Sequence, residues 1–288
     1  MRLDAGMLNE VLEKVERLVD VNDRFDDRVE REVETLEVPD LFKRELIKAL
    51  RELLNPRKAV RRGFFLVVTG IDKSGKETQC FNPAGVPGVK SIREFLEELG
   101  GEVLSISLPS YDTFLGSLVG AYLGVEGLGV EVEGEVSEEY AWILWGLDRA
   151  QYNTAVRRWL SRGKRFVLAR RWVESNLCYQ VARGIGEDRI LRFERNIERP
   201  DLTLVIDITA EEALRRASKT DRYEKLSFLR KVRATLLDVA FRGVVGDSVV
   251  VNGMGSPVEV NRRILEVLGY YLAGSSAYIP GFYGYSGG

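Results

Sequence analysis

The segment Gly70-Ile71-Asp72-Lys73-Ser74-Gly75-Lys76, set directly behind the apolar run FFLVVT, restricts this chain more than any other stretch. A short buried strand that feeds a glycine-bounded turn ending in Gly-Lys has the context of a phosphate-binding loop. Glycines let backbone N–H groups turn inward on phosphate oxygens, and the helix that follows adds its positive end. A lysine at the last position reaches the β and γ phosphates of a bound nucleotide. The position after Lys76 ordinarily offers a hydroxyl to magnesium, but here it is Glu77, and Thr78 points about 100° further around the helix. A bare carboxylate about 4 Å from a phosphate charge costs on the order of 4 kcal/mol at an effective dielectric near 20. Glu77 is therefore expected to hold a cation, pair with a base or turn away.

The stretches EVLSISL, RFVLARR, LTLVIDIT and SVVVNG repeat the strand pattern, with helical segments between them. The expected fold is α/β: a doubly wound, mainly parallel five-stranded sheet over 63–272, preceded by an all-helical extension over 1–62. In that extension Leu8, Val11, Leu12, Val15, Leu18 and Val19 share one helical face, with Asp4 placed to cap. Phe25, Val29, Val33 and Leu36 mark a second stripe, and Pro39 opens a third helix that stops at Asn55-Pro56. Such stripes need a partner, either the rest of the chain or another protein. Behind the phosphate loop, Asn82-Pro83-Ala84-Gly85-Val86-Pro87-Gly88 should break the helix before SIREFLEELG resumes it. The Gly- and Tyr-rich tail 273–288 reads as a loose tail or a strap laid over the surface.

Composition narrows the chemistry. The 288 residues contain no histidine and only two cysteines, Cys80 and Cys178. Serine–histidine hydrolysis, histidine-ligated metals, zinc clusters and disulfide frameworks are excluded. Forty-two basic against 44 acidic residues leave a net charge of −2, so phosphate binding must be local and neither nucleic acid nor an anionic membrane is an expected partner. No apolar run approaches the roughly 20 residues of a bilayer span, and the charged N-terminus does not suit a signal peptide. A cytoplasmic protein is expected, and dense charge with few Cys and Met suits a thermophilic source.

Several segments, in order, resemble the thymidylate kinase family: GIDKSGKETQ, SLPSYDTFLGSLVGAYLG, WILWGLDRAQYNTAVRRWLSRGKRFVLARRWVESNLCYQVARG and RPDLTLVIDITAEEALRRASKTDRYEK. The resemblance runs from about 64 to 268. It implies a nucleotide-biosynthesis kinase that passes a phosphoryl group from ATP, with Mg2+, to a nucleoside monophosphate, dTMP first, and it implies a homodimer. ATP would bind at Gly70, Ile71, Asp72, Lys73, Ser74, Gly75, Lys76, Glu77 and Thr78. On the acceptor side, the resemblance gives Asp72 to the deoxyribose, Trp145 to stacking on thymine, Arg149 to hydrogen bonds with the base, Tyr179 to the floor beneath the sugar and Arg171 to the acceptor phosphate. An indole face and a planar guanidinium suit those tasks, although a tryptophan within WILW equally suits a core. Lys76, Lys73 and Arg171 would be the catalytic cations, with Arg215, Arg216, Lys219 and Arg222 in the lid.

Three positions depart from the family. Its Asp-Arg-Tyr motif reads Arg170-Arg171-Trp172, and Tyr111 stands where many members carry an arginine. An arginine at 170 cannot ligate a metal. Two arrangements follow: a Glu77–Arg170 ion pair across the usual magnesium position, or Glu77 as the magnesium ligand with Arg170 turned to the acceptor phosphate. A nucleotide-binding protein that has lost transfer activity and acts through its helical extension is the alternative function, and a kinase for another acceptor is a third.

Overall fold

Parallel strands covered on both faces must be apolar almost throughout, and the runs that satisfy this become one sheet. The protein is described from a computed structural model covering residues 1–56, 60–217, 226–273 and 283–285. Along the chain, β1 (Arg2–Asp4) leads into α1 (Ala5–Val21), α2 (Asp27–Glu34) and α3 (Asp40–Leu53). Then come β2 (Phe64–Thr69), α4 (Lys76–Phe81), α5 (Ile92–Glu98), β3 (Glu102–Ser107), α6 (Phe114–Leu123), β4 (Glu131–Glu133), α7 (Glu138–Ala150) and α8 (Asn153–Leu160). The remainder is β5 (Arg165–Arg170), α9 (Val173–Val181), α10 (Glu187–Phe193), β6 (Leu202–Asp207), α11 (Ala210–Arg216), α12 (Leu226–Phe241), β7 (Ser248–Asn252), α13 (Pro257–Leu272) and β8 (Tyr283–Tyr285).

The described residues group into two compact units. The sheet unit holds 61–106, 159–182 and the chain from 199 onward. Its strands lie in the order β3-β5-β2-β6-β7-β8, with β5, β2, β6 and β7 parallel. Leu66, Val68, Leu168, Leu202, Leu204 and Ile206 point to one face and pack with Cys80, Ile92, Leu96, Ile264 and Leu268 from α4, α5 and α13. Because β2 is the first strand of this sheet and sits between β5 and β6, the chain runs from it to one side, through β3 and β5, and then crosses to β6 and β7 on the other. A crevice therefore opens beyond its carboxyl end, the place where such sheets bind ligands.

The five expected strands are all present, and the sheet carries one more. Tyr283–Tyr285 of the tail pairs antiparallel with β7, Gly284 lying opposite Val249. An open sheet edge offers unpaired N–H and C=O groups that any extended segment can satisfy, which tail composition alone does not announce. The rest of the tail beyond 273 lies outside the described residues.

Expected breaks appear where the sequence puts them. Helix α4 ends after six residues at Asn82, which adopts a left-handed conformation (φ 44°) and binds the loop through its side chain to Val86 and Val89. Ser91 and Glu94 then form a reciprocal capping box that starts α5.

The helical unit comprises 1–60, 107–158 and 183–198. The Asp4 carboxylate caps α1 through the Met7 N–H at 3.0 Å, and the stripe from Leu8 to Val19 is buried. Helices α1 and α3 pack on α7, and Phe42 of α3 meets Phe114 of α6 edge-on at 5.3 Å. The N-terminal helices thus share a core with chain segments far along the sequence. Strand β1 pairs parallel with β4, Leu3 opposite Val132; a three-residue strand is too short to show a period of two.

Candidate active site

At the carboxyl end of β2 the backbone turns through conformations few side chains accept. Gly70 sits at φ 151°, and a Cβ there would stand 2.5 Å from both the Ile206 carbonyl oxygen and Ser74 Oγ. Only glycine fits between the loop and β6. Lys73 takes φ 61°, exposing its side chain, and Gly75 takes φ 88° as it opens α4. Lys76 is buried, and its Nζ donates to the carbonyls of Gly70 (3.0 Å) and Ile71 (2.7 Å) and to Ser74 Oγ (3.2 Å). Burial, with the charges of Arg171 and Arg170 nearby, pushes its pKa well below the ordinary lysine value; Asp72 pulls the other way. A phosphate beside this ammonium would favour its charged form.

Arg171 follows the last residue of β5 and reaches the same loop. Its backbone is left-handed at φ 70°, held by its N–H to the Val68 carbonyl at 3.0 Å. Its guanidinium donates to Asp72 Oδ1 and, at 2.8 Å, to Ser175 Oγ, and it lies 5.3 Å from the Tyr179 ring centre. The Tyr179 hydroxyl accepts the Asp72 N–H at 3.1 Å. Burial raises the Asp72 carboxyl, but Arg171, Lys76 and the Tyr179 hydroxyl outweigh it, so the group stays an anion below its ordinary range. Burial first, then the charge of Asp72, keeps the Tyr179 phenol protonated. Lys73, Lys76, Arg170 and Arg171 thus outnumber Asp72 and Glu77 around this loop, a surplus of positive charge suited to a polyanion.

Beside this loop lies a cavity of about 320 Å3, lined by Lys73, Ser74, Thr78, Arg216, Gly253 and Pro257 among others. Arg216 donates to the carbonyls of Lys73 and Gly253, each at 3.3 Å, and to Glu212. Arg215 is an exposed partner of Glu212, whose carboxyl the two arginines hold down at about 2. Lys219 and Arg222 lie outside the described residues.

Of the two arrangements expected for Glu77, the ion pair with Arg170 does not form. Glu77 is exposed in the first turn of α4 and makes no ion pair among the described residues. Arg170, half-buried at the end of β5, acts instead on Lys76 and on Cys80, whose thiol burial pushes up to about 12. Trp172, in place of the motif tyrosine, is fully buried edge-on to Phe65 at 5.3 Å.

The structure brings Asp72, Lys73, Lys76, Arg171, Tyr179 and Arg216 into the sheet unit around one loop. Trp145 and Arg149 belong to the helical unit. Trp145 is half-buried and edge-on to Tyr122 at 5.5 Å. Arg149 is fully buried, with Nε and Nη2 on the two oxygens of Glu194 at 3.0 and 2.9 Å. Next to it, Asp148 accepts from the Ser110 N–H (3.1 Å) and hydroxyl and from Gln151 (2.8 Å); burial nonetheless raises its carboxyl to about 6. Two partners were not visible in the sequence: Ser175, which shares Arg171, and Glu194, which shares Arg149. The only signal for the second was that an arginine on an apolar helix face needs a buried anion.

Comparison with known proteins points to one family. The family model "Thymidylate kinase" matches residues 68–264. A probable thymidylate kinase of Pyrococcus abyssi is 32% identical over 219 residues, covering 74% of this chain and 99% of its own. The thymidylate kinase of Arabidopsis thaliana is 26% identical, covering 72% of this chain and 71% of its own. Among solved structures, thymidylate kinase from Candida albicans superposes with a TM-score of 0.55 at 21% identity, over 74% of this chain and 92% of that one, a likeness of fold. With the family model spanning most of the sheet and the phosphate loop where the fold requires it, the chain belongs to the thymidylate kinase family of phosphotransferases.

Proposed function

We propose that the protein phosphorylates dTMP to dTDP with ATP as donor. The observation that carries this is the cationic loop: Lys76 buried against its own carbonyls, Lys73 exposed at its tip, and Arg171 held across from both by Asp72 and Ser175. An oxygen of the acceptor phosphate attacks the γ-phosphorus in line, the bond to the β-bridging oxygen breaks, and ADP leaves. Lys76 and Lys73 stabilise charge on the transferred group, and Arg171 neutralises the acceptor phosphate. Asp72 and Tyr179 orient the sugar, while the cavity beside Arg216 takes the donor base. Trp145 and Arg149 serve the thymine, a role that rests on the family resemblance.

No cluster of three or more acidic or thiol groups among the described residues could cage a metal. Mg2+ needs no cage, since it keeps several waters and binds through one or two carboxylates plus phosphates. Glu77, exposed directly after Lys76, fits that requirement and would hold it. When bound, Mg2+ supplies charge neutralisation on the β and γ phosphates. Lys76 and Lys73 still supply the oriented donors to those oxygens.

The same reading has the enzyme acting in the cytoplasm of a thermophilic organism, as a homodimer, on nucleotides and not on nucleic acid or membrane. Among the described residues, no helix is long and apolar enough to cross a bilayer. The test is ATP turnover with Mg2+ over a panel of nucleoside monophosphates, for the wild type and for Glu77→Ser with Arg170→Asp. Turnover strongest with dTMP is expected. A wild type that binds nucleotide without turnover on any acceptor would overturn the reading.

A further inference from the structure

We propose that Glu194 is a positioning residue for the acceptor base and that the N-terminal helices set its place, a proposal that rests on the reading of Arg149 as a donor to thymine. Arg149 and Glu194 form a fully buried, bidentate pair, an arrangement that fixes the guanidinium plane as well as its position. Trp142, Gly146 and Arg149 lie on one face of α7. Trp142 meets Phe193 edge-on at 5.2 Å, and a Cβ on Gly146 would stand 2.7 Å from the Phe193 ring. The glycine lets Phe193 seat against α7, and Glu194, the next residue, then reaches Arg149.

Helix α10 ends at Phe193, so Glu194 sits on its cap and depends on what holds the segment after it. That hold comes from the N-terminal helices. Arg195 Nη2 donates to the carbonyls of Val19 (2.9 Å) and Asn22 (2.8 Å), at the end of α1. Asn196 Nδ2 donates to the Leu53 carbonyl at 2.8 Å, at the end of α3. The last carbonyls of a helix have no partner within it, and these two side chains supply one. On the other side, the Asn196 carbonyl accepts from Asn153 (3.0 Å) and Arg157 (2.6 Å). The three consecutive residues Glu194, Arg195 and Asn196 therefore link the base-side arginine to the ends of α1 and α3. The N-terminal helices, which carry no candidate catalytic group, act on acceptor recognition through this link.

The test uses the full chain and steady-state kinetics with dTMP and dCMP, since thymine offers a carbonyl where cytosine offers an amino group and an arginine donor distinguishes them. Arg149→Ala is expected to raise KM for dTMP about tenfold or more and to reduce the preference for dTMP over dCMP, the cost of one charged hydrogen bond. Glu194→Gln, which keeps the volume but breaks the bidentate charge, should move both quantities the same way with KM for ATP unchanged. Arg195→Ala should do so by about threefold, and Arg195→Lys should restore part of the loss. Loss of folded enzyme would lower kcat and leave KM and the base preference alone, so it cannot imitate this pattern. If Arg149→Ala shifts base preference but Glu194→Gln does not, the positioning role is overturned. An unchanged KM and preference in Arg195→Ala overturns the link to the N-terminal helices. If Arg149→Ala itself leaves dTMP unaffected, Arg149 is no base donor, and the underlying reading fails, whatever the other variants do.

Discussion

Arg171 and Arg149 are both held by carboxylates, yet their surroundings differ in kind. Arg171 sits on left-handed backbone, its partner Asp72 is 24% exposed, and two lysines and a second arginine crowd the same loop. Arg149 lies mid-core on a regular helix, and its carboxylate is fully enclosed. The first region keeps positive charge in excess, at a cost in backbone strain and in lysine protonation; the second has none left over. Sites that must receive a polyanion carry unbalanced charge, whereas sites that must hold a shape balance theirs.

This contrast can be broken by mutation. Lys76→Met should lower kcat about a thousandfold, the scale of losing one preorganised donor, yet cost no more than about 1 kcal/mol of stability. Single-turnover kinetics and urea unfolding on one preparation would separate the two quantities, and comparable losses in both would erase the distinction. Glu194→Leu should do the reverse to the fold: removing one partner of a buried charge pair costs about 3–5 kcal/mol, read from the urea midpoint.

A third effect appears through pH. Asp148 is raised to about 6 in the folded protein against 3.8 unpaired, so the native state binds the proton more tightly. The stabilisation is fully present below about pH 4 and is lost as pH rises through about 6, on the order of 3 kcal/mol in all. Subtracting the pH profile of Asp148→Asn from that of the wild type should reveal that slope; a flat difference would mean the carboxyl titrates normally. Smallest of all, Asp72→Asn should change stability by about 1 kcal/mol or less, because its ion pair is partly solvated. A calorimetric loss as large as that for Glu194→Leu would show the two arginine pairs to be alike after all.

The phosphate loop was legible because its chemistry is contiguous: strand, glycines, lysine and helix follow one another within a few residues. The helix break at Asn82 and the capping of α1 by Asp4 are equally local. Partners brought together by folding were not legible. Glu194 stands 45 residues from Arg149, and Asp72 stands 99 from Arg171. Resemblance supplied the second pairing's neighbourhood but nothing supplied the first. Strands β1 and β8 escaped notice because three residues are too few for periodicity, and their pairing is decided by open edges elsewhere. The exposure of Glu77 likewise depends on how α4 sits against the sheet.

The clamp on α1 has a consequence for biosynthesis. Arg195 lies 176 residues beyond Val19, and Asn196 lies 143 beyond Leu53. A ribosome adds roughly 5–20 residues per second, so these helices wait on the order of 7 to 35 seconds for the side chains that finish their ends. For most of that interval α1 and α3 also lack α7, against which their apolar stripes pack. Through that interval α1 and α3 stand open to chaperones during translation, while the chain that completes them is still being made.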